Sequence, residues 1–467
     1  MNVQPKNEAS VSSETERLIR HFVRAAVTQL PVLSGEIIQL EDHAQWERFS
    51  DGHFHIRKKG TSTPWPLQSD KWLQSLTDYR PCIDRMMSDV VIGPHLNRLV
   101  GTSMSALLLV ADNILLSLIH SMRNEQGSVE FTDERFDCEF KEWVRFFSAS
   151  EVATRMVAPL RYLIAPFPIR LNTEILLDRL TDEEVTRCAH VAVLRPVSEQ
   201  FPVIRGEAAA GVRRTQLWPK VIRSEAETRQ MIDMEDEGAF GSRPAFRDDL
   251  VVEDVLSALR LLKHTQIRAA GLAIWKDARW LDNEISYQLL SDWPYGQRFE
   301  LLDGEVEQFL HLWQLLEACA GRFEFAIHRF NLAFDRLRWD DRIIDLVIAA
   351  ESLFLNDISA KDRGELRFRF ALRAAKFIEH PSYSQYDVFG VMRRAYDVRS
   401  TIVHGGRPKE TSLPDNPSAT APEFVDRIEE LMRLALRKAL SLREEGSRLR
   451  QSEYWDSLVL ESQHRGV

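Results

Sequence analysis

Arg399 and His404, with four residues between them near the end of the run 386–404, are the side chains best suited to chemistry. Projected at about 100° per residue, Val388, Val391, Met392, Ala395, Tyr396, Val398, Ile402 and Val403 form one apolar arc. Arg399 falls near its middle, with Ser400 and His404 on its edge and beyond. A guanidinium there needs a charged partner or a polar cleft, because an unpaired buried charge is costly. Its planar fork suits a phosphate. An imidazole titrates near neutral pH, as acid–base catalysis requires. Gly405-Gly406 lets the chain leave the helix, so Arg and His are expected within one turn, with His404 at a helix C-terminus where the dipole favours its protonated form. Two ordinary structural roles compete. Arg399 could form a buried pair with Glu351 or Asp345 that fixes helix register, and His404 could simply cap the helix.

The run Tyr396-Asp-Val-Arg-Ser-Thr-Ile-Val-His-Gly405 resembles the Arg-x4-6-His motif of HEPN domains, above all the Apea-like branch linked to phage defence and abortive infection. The upstream stretches Ala326–Asn331, Asp341–Phe354 and Arg369–Lys376 match the helices that precede the motif there, and the likeness covers roughly residues 305–450. The resemblance implies a helical bundle that dimerises and brings two motifs into one cleft. It also implies a metal-independent endoribonuclease that uses the RNA 2′-hydroxyl as nucleophile. Arg399 would hold the scissile phosphate and His404 would act on the 2′-hydroxyl or the leaving oxygen. Ser400 takes the polar position after the Arg, and Glu351 would pair with Arg399 or orient the site. Some members of the family bind RNA or a protein partner without cutting.

The elements that must position these groups follow from apolar spacing. From about 304 onward, 309–319, 323–334, 343–355, 365–378, 386–404 and 424–448 each show helical periodicity, the mark of a bundle. The interruption 405–422 is longer than a bundle connection needs, so it is flexible or functional. Upstream, Ser13-Glu-Thr-Glu16 has capping-box spacing before an amphipathic helix, and Thr181-Asp-Glu-Glu184 repeats it. Helical patterns run from about 85 to 123 and across Glu139–Leu163, with Met104–Ile119 reading as a buried helix. Strands are expected at 53–57, 167–171, 191–194 and 271–275.

The expected fold is mainly α. A C-terminal HEPN bundle (304–450) follows a larger N-terminal region (14–222) that is mixed α/β or mainly helical, a linker at 223–249, and a helix and strand connection at 250–303. Flexible tails are expected at 1–13 and 451–467.

A formal charge of −10 over 467 residues excludes a generally basic surface, though a local basic site such as Lys361–Lys376 remains open as a solvated face or a phosphate-tracking stripe. At 44% hydrophobic and 28% charged the chain can bury a large core. The four cysteines lie far apart without a Cys-x-x-Cys pair, against a disulfide scaffold or structural zinc. His53 and His55 alternate on one strand but lack a third ligand, while Trp275, Trp280 and Trp293 read as core rather than base-stacking groups. No cofactor or metal is expected. The expected partners are RNA, a second copy of the chain and a phage-derived trigger or inhibitory partner. With no signal-like start and no membrane span, the location is expected to be the cytoplasm.

Overall fold

A computed structural model describes residues 10–30, 43–48, 54–59, 70–101, 106–122, 129–161, 163–181, 184, 188, 210–224, 248–269, 271–276, 286–289, 299–319, 321, 323–358, 365–408 and 411–460. Helix is the commonest element among them. The chain divides into two compact units, Met1–Pro159 with Asn172–Arg247 and Ala270–Pro294, and Leu160–Leu171 with Asp248–Ala269 and Tyr295–Val467.

The first unit is mixed. Helices α1 (Ser13–Gln29), α2 (Asp70–Ser75), α3 (Tyr79–Ser88), α4 (Ala111–Ser121) and α5 (Asp133–Ser148) share a core that includes Phe22, Leu115, Leu118, Phe136 and Trp143. Strands β1 (His43–Arg48) and β2 (Phe54–Lys59) form an antiparallel hairpin. The antiparallel strands β3 (Arg98–Gly101) and β4 (Ala106–Leu109) are joined on β3 by β10 (Val221–Arg223). A larger sheet runs in the order β13 (Ser286–Leu289), β12 (Gly271–Lys276), β5 (Glu151–Arg161), β9 (Ala210–Pro219), β8 (Ile175–Arg179).

Three expectations are corrected here. The stretch Glu139–Leu163 is not one helix: α5 stops at Ser148, and β5 follows with Met156, Val157, Ala158 and Leu160 all buried. A strand covered on both faces reads as a continuous apolar run, which period alone cannot separate from a buried helix. Met104–Ile119 is likewise not one helix: strand β4 precedes α4, with Leu108 exposed and Leu109 buried. The N-cap of α1 is Ser12 rather than Ser13, because the Ser12 hydroxyl accepts from Thr15 N at 3.1 Å and packs beside buried Asp89. The Thr181–Glu184 box is present, with both reciprocal bonds made. The strand expected at 191–194, His53, most of the 223–249 linker, Trp280 and Trp293 lie outside the described residues.

The second unit is a helical bundle of α6 (Asp248–Leu262), α7 (Val306–Ala318), α8 (Glu324–Asp335), α9 (Trp339–Phe354), α10 (Leu366–Phe377), α11 (Gln385–Val403), α12 (Ala421–Ser441) and α13 (Ser452–Leu460). Two-residue strands β6 (Leu163–Ile164) and β14 (Phe299–Glu300) pair in parallel beside it. Strand β11 (Arg268–Ala269) pairs with Leu160 and Arg161 at the end of β5, and β7 (Ile169–Arg170) is the short strand expected at 167–171. Helix α9 is central: it packs on α8, α11 and α12, while α10 and α11 pack on each other. Its residues Ile343, Leu346, Val347, Ala350, Leu353 and Phe354 are all buried. The bundle is larger than residues 304–450. Helix α6 packs on α7 and α12, and α13 closes the other end on α10, so 452–460 is no tail.

One charged node ties three elements together. The Glu429 carboxylate on α12, 1% exposed, accepts from His264 Nδ1 at 2.7 Å, from Arg342 Nη2 on α9 at 2.7 Å, and from Arg433. The hydrogen bond to Glu429 raises the His264 imidazole above its ordinary value despite burial. A histidine raised in the folded state stabilises below its unfolded value, about 6.5, and loses that contribution as pH climbs through the folded one. Denaturation midpoints measured from about pH 6 to about pH 9 are expected to fall more steeply for the native chain than for His264→Gln. Parallel curves would remove His264 from the account.

Candidate functional site

Helix α11 is fixed at both ends by its own sequence. Ser384 and Asp387 make a capping box, with Asp387 N donating to the Ser384 hydroxyl at 3.2 Å and Ser384 N to the Asp387 carboxylate at 3.0 Å. At the other end His404 is the C-cap, and Gly405 takes φ 77°, the left-handed region where a side chain would be strained. Gly405 N then donates to Ile402 O at 2.9 Å and Gly406 N to Thr401 O at 2.8 Å. Between these ends Val388, Val391, Met392, Ala395 and Val398 are buried.

Arg399 lies half-buried on that apolar side, with Nη2 3.4 Å from Glu351 Oε2 on α9. This is a loose ion pair, and the buried Arg399 Nε has no hydrogen-bond partner among the described residues. Arg373, buried in the same bundle, contrasts with it: its guanidinium donates to Phe354 O at 2.7 Å and to both Asp357 oxygens at 2.6 and 2.9 Å. A register-fixing arginine is saturated in this way; Arg399 keeps donors to spare. Asp345, the other carboxylate considered for it, accepts instead from Arg329 at 2.9 Å and Arg336 at 2.7 Å.

Burial pushes the Glu351 carboxyl up, and the Arg399 charge only partly offsets this. The Tyr396 hydroxyl is also raised, first by burial and then by the Glu351 charge. Glu351, Tyr396 and Arg399 therefore share one electrostatic neighbourhood, with the Tyr396 ring braced on Phe370 at 5.5 Å. The motif spacing marked Tyr396; nothing in the sequence marked Arg394. Its Nε is also buried without a partner among the described residues, five residues before the motif arginine.

The structure does not bring every expected residue together. His404 is exposed, Ser400 is half-buried, and neither side chain has a hydrogen bond or ion pair among the described residues. Five residues are about 1.4 turns, so His404 leaves the helix about 140° around from Arg399 rather than beside it. Of the segment after His404, 411–420 is anchored: Leu413 is buried, Thr411 donates to Ala419 O at 2.9 Å, and Asp415 receives Tyr383 and Arg427. Two grooves of the unit, about 600 and 390 Å³, are lined by α7 and α12 residues such as His311 and Arg437, and by Asp415 and Glu430, away from the motif. Elsewhere, Trp275 is buried and His328 pairs with Glu253 at 3.0 Å. Among the described residues no helix is long and apolar enough to cross a membrane.

No protein-family model matches this chain, and neither does any curated protein or solved structure.

Proposed function

We propose that the chain is a metal-independent endoribonuclease of HEPN type, acting in phage defence or abortive infection. One observation carries this reading: Arg399, with donors left unsatisfied beside a single loose carboxylate, on the last turns of a helix that ends at His404. A scissile phosphate would accept from the spare guanidinium N–H groups and displace little. Glu351 would hold the guanidinium from behind, and Ser400 would offer a hydroxyl to the same phosphate. The RNA 2′-oxygen would form a bond to phosphorus while the bond to the 5′-oxygen breaks. His404 would take the 2′-hydroxyl proton or give one to the leaving oxygen. The products are a 2′,3′-cyclic phosphate and a 5′-hydroxyl.

The divergence of Arg399 and His404 fits a shared site. Two copies meeting through the bundle would place one chain's His404 against the other's Arg399 in a single cleft. The first unit would then sense a phage-derived trigger or hold an inhibitory partner. A second reading draws on the same divergence: a HEPN module that binds RNA or a protein without cutting needs no Arg–His proximity.

Incubating the purified chain with total RNA and excess EDTA, then sequencing new ends, separates the two. The 2′-hydroxyl is an internal nucleophile, and Arg and His supply charge and proton transfer. Cleavage is therefore expected to persist at full rate in chelator, to leave cyclic or 3′-phosphate ends, and to spare DNA. Activity that disappears with EDTA and returns only with added metal would overturn the mechanism. Binding without any new ends would favour the second reading. A protein that cuts at full rate while monomeric by light scattering at micromolar concentration would end the shared-site idea.

A further inference from the structure

Eighteen residues are five whole turns, so Tyr386 and His404 lie on one line along α11, and Phe389, Arg393 and Asp397 fall within about 60° of it. This outward stripe is unusual in composition. Tyr386 is 83% exposed, and Phe368, at the start of neighbouring α10, is 49% exposed. The Phe368 ring meets the Phe389 ring edge-on at 5.7 Å, and the Arg393 guanidinium lies 5.4 Å from the Phe389 centroid. Asp397 is answered by Arg367, whereas Arg393 and Arg369 have no ion pair among the described residues. A chain of formal charge −10 thus shows surplus positive charge next to the exposed rings of Tyr386 and Phe368 and the half-buried Phe389, on the side that carries His404.

We propose that Phe368, Phe389, Tyr386 and Arg393 form a stacking ledge for unpaired nucleotides of an RNA strand running toward His404. This rests on the ribonuclease reading and adds a substrate class, single-stranded RNA. Every base has a π-face that an exposed ring can take whatever its identity, and arginine adds a phosphate contact and a stacking plane. In a duplex those faces are already stacked, so the ledge discriminates by strandedness and not by sequence. From Phe389 to His404 is about 22 Å along the helix, which a strand covers only by extending several nucleotides beyond the cut.

The test uses the full chain carrying Arg399→Ala, so that RNA stays intact, with a labelled oligouridylate, a hairpin of equal length, and an oligouridylate containing 2-aminopurine. The oligouridylate is expected to bind more tightly than the hairpin, and the 2-aminopurine to be quenched on binding. Adding Phe368→Ser or Arg393→Gln, both at exposed positions, is expected to weaken single-strand binding about fivefold to tenfold and relieve the quenching, with melting temperature unchanged. If the single strand binds but neither substitution alters affinity or quenching, the ledge is wrong and the ribonuclease reading stands. If these substitutions dissociate a dimer without changing RNA affinity, the face belongs to a contact between copies and the ledge is again wrong. Should the native chain neither bind nor cut RNA, the ribonuclease reading fails and the ledge with it.

Discussion

Arg399→Ala and His404→Ala are each expected to slow RNA cleavage at least about 100-fold while the chain stays folded. The first loss is electrostatic. A phosphate under attack gathers negative charge on its free oxygens, and removing one preorganised donor costs about 10²–10³ in rate. Arg399 fits that role because, among the described residues, its Nε is buried without a partner and its one carboxylate sits at 3.4 Å. The second loss is proton transfer, about 10²–10⁴, from an imidazole exposed at the helix end. Arg399→Lys keeps the charge but loses the fork, so its rate should fall between native and alanine. Stability should move little in either alanine variant. Among the described residues Arg399 makes only one loose pair, worth about 1 kcal/mol or less, and His404 has no partner. If both variants melt as the native chain does and still cut RNA at the native rate, the site lies elsewhere.

The bundle was readable because its helices are amphipathic. Each of α7 to α12 buries one stripe and exposes the other, so spacing alone located α7 to α11 to within a few residues, while α12, expected over 424–448, runs Ala421–Ser441. The first unit defeated the same method where strands are covered on both faces. Along β5, Met156 to Leu160 is buried residue after residue, so no two-residue alternation survives to distinguish it from a helix. Helix α13 was missed for a different reason. It is one short element with a single large anchor, Trp455, and its period is too brief to stand out among polar neighbours.

The candidate site was legible in part. Arg399 within an apolar arc signals a constraint on that arginine, and Gly405 marks where the helix must stop. What spacing alone could not supply was the choice between Glu351 and Asp345, two carboxylates on the same helix α9. Packing decides it: α8 brings Arg329 and the following loop brings Arg336 to Asp345, leaving Glu351 for Arg399. The ledge was equally hidden, because Phe368 and Phe389 become neighbours only when α10 folds back on α11.

The largest stability effect belongs to Trp455→Ala, expected to cost about 3–5 kcal/mol. Trp455 is fully buried and donates through Nε1 to Leu449 O at 2.9 Å. Its ring meets Phe354 at 5.8 Å and Phe377 at 5.7 Å, and the Arg373 guanidinium lies 5.3 Å from its centroid. Ser452, at the start of the same helix, donates to Asp357 at 2.8 Å, the carboxylate that also holds Arg373. Removing the indole opens a cavity among α9, α10 and α13 that these rings fill only in part, since each is held by further contacts. Trp455→Phe keeps an aromatic ring and should recover much of the loss. Denaturant titration of the full chain measures both, and a Trp455→Ala midpoint equal to the native one would show that α13 adds nothing to the bundle. Phe354 lies one turn beyond Glu351 on α9, so loosening it also frees the carboxylate that backs Arg399. Cleavage by Trp455→Ala should accordingly fall further than the folded fraction alone explains, with Trp455→Phe restoring stability and rate together.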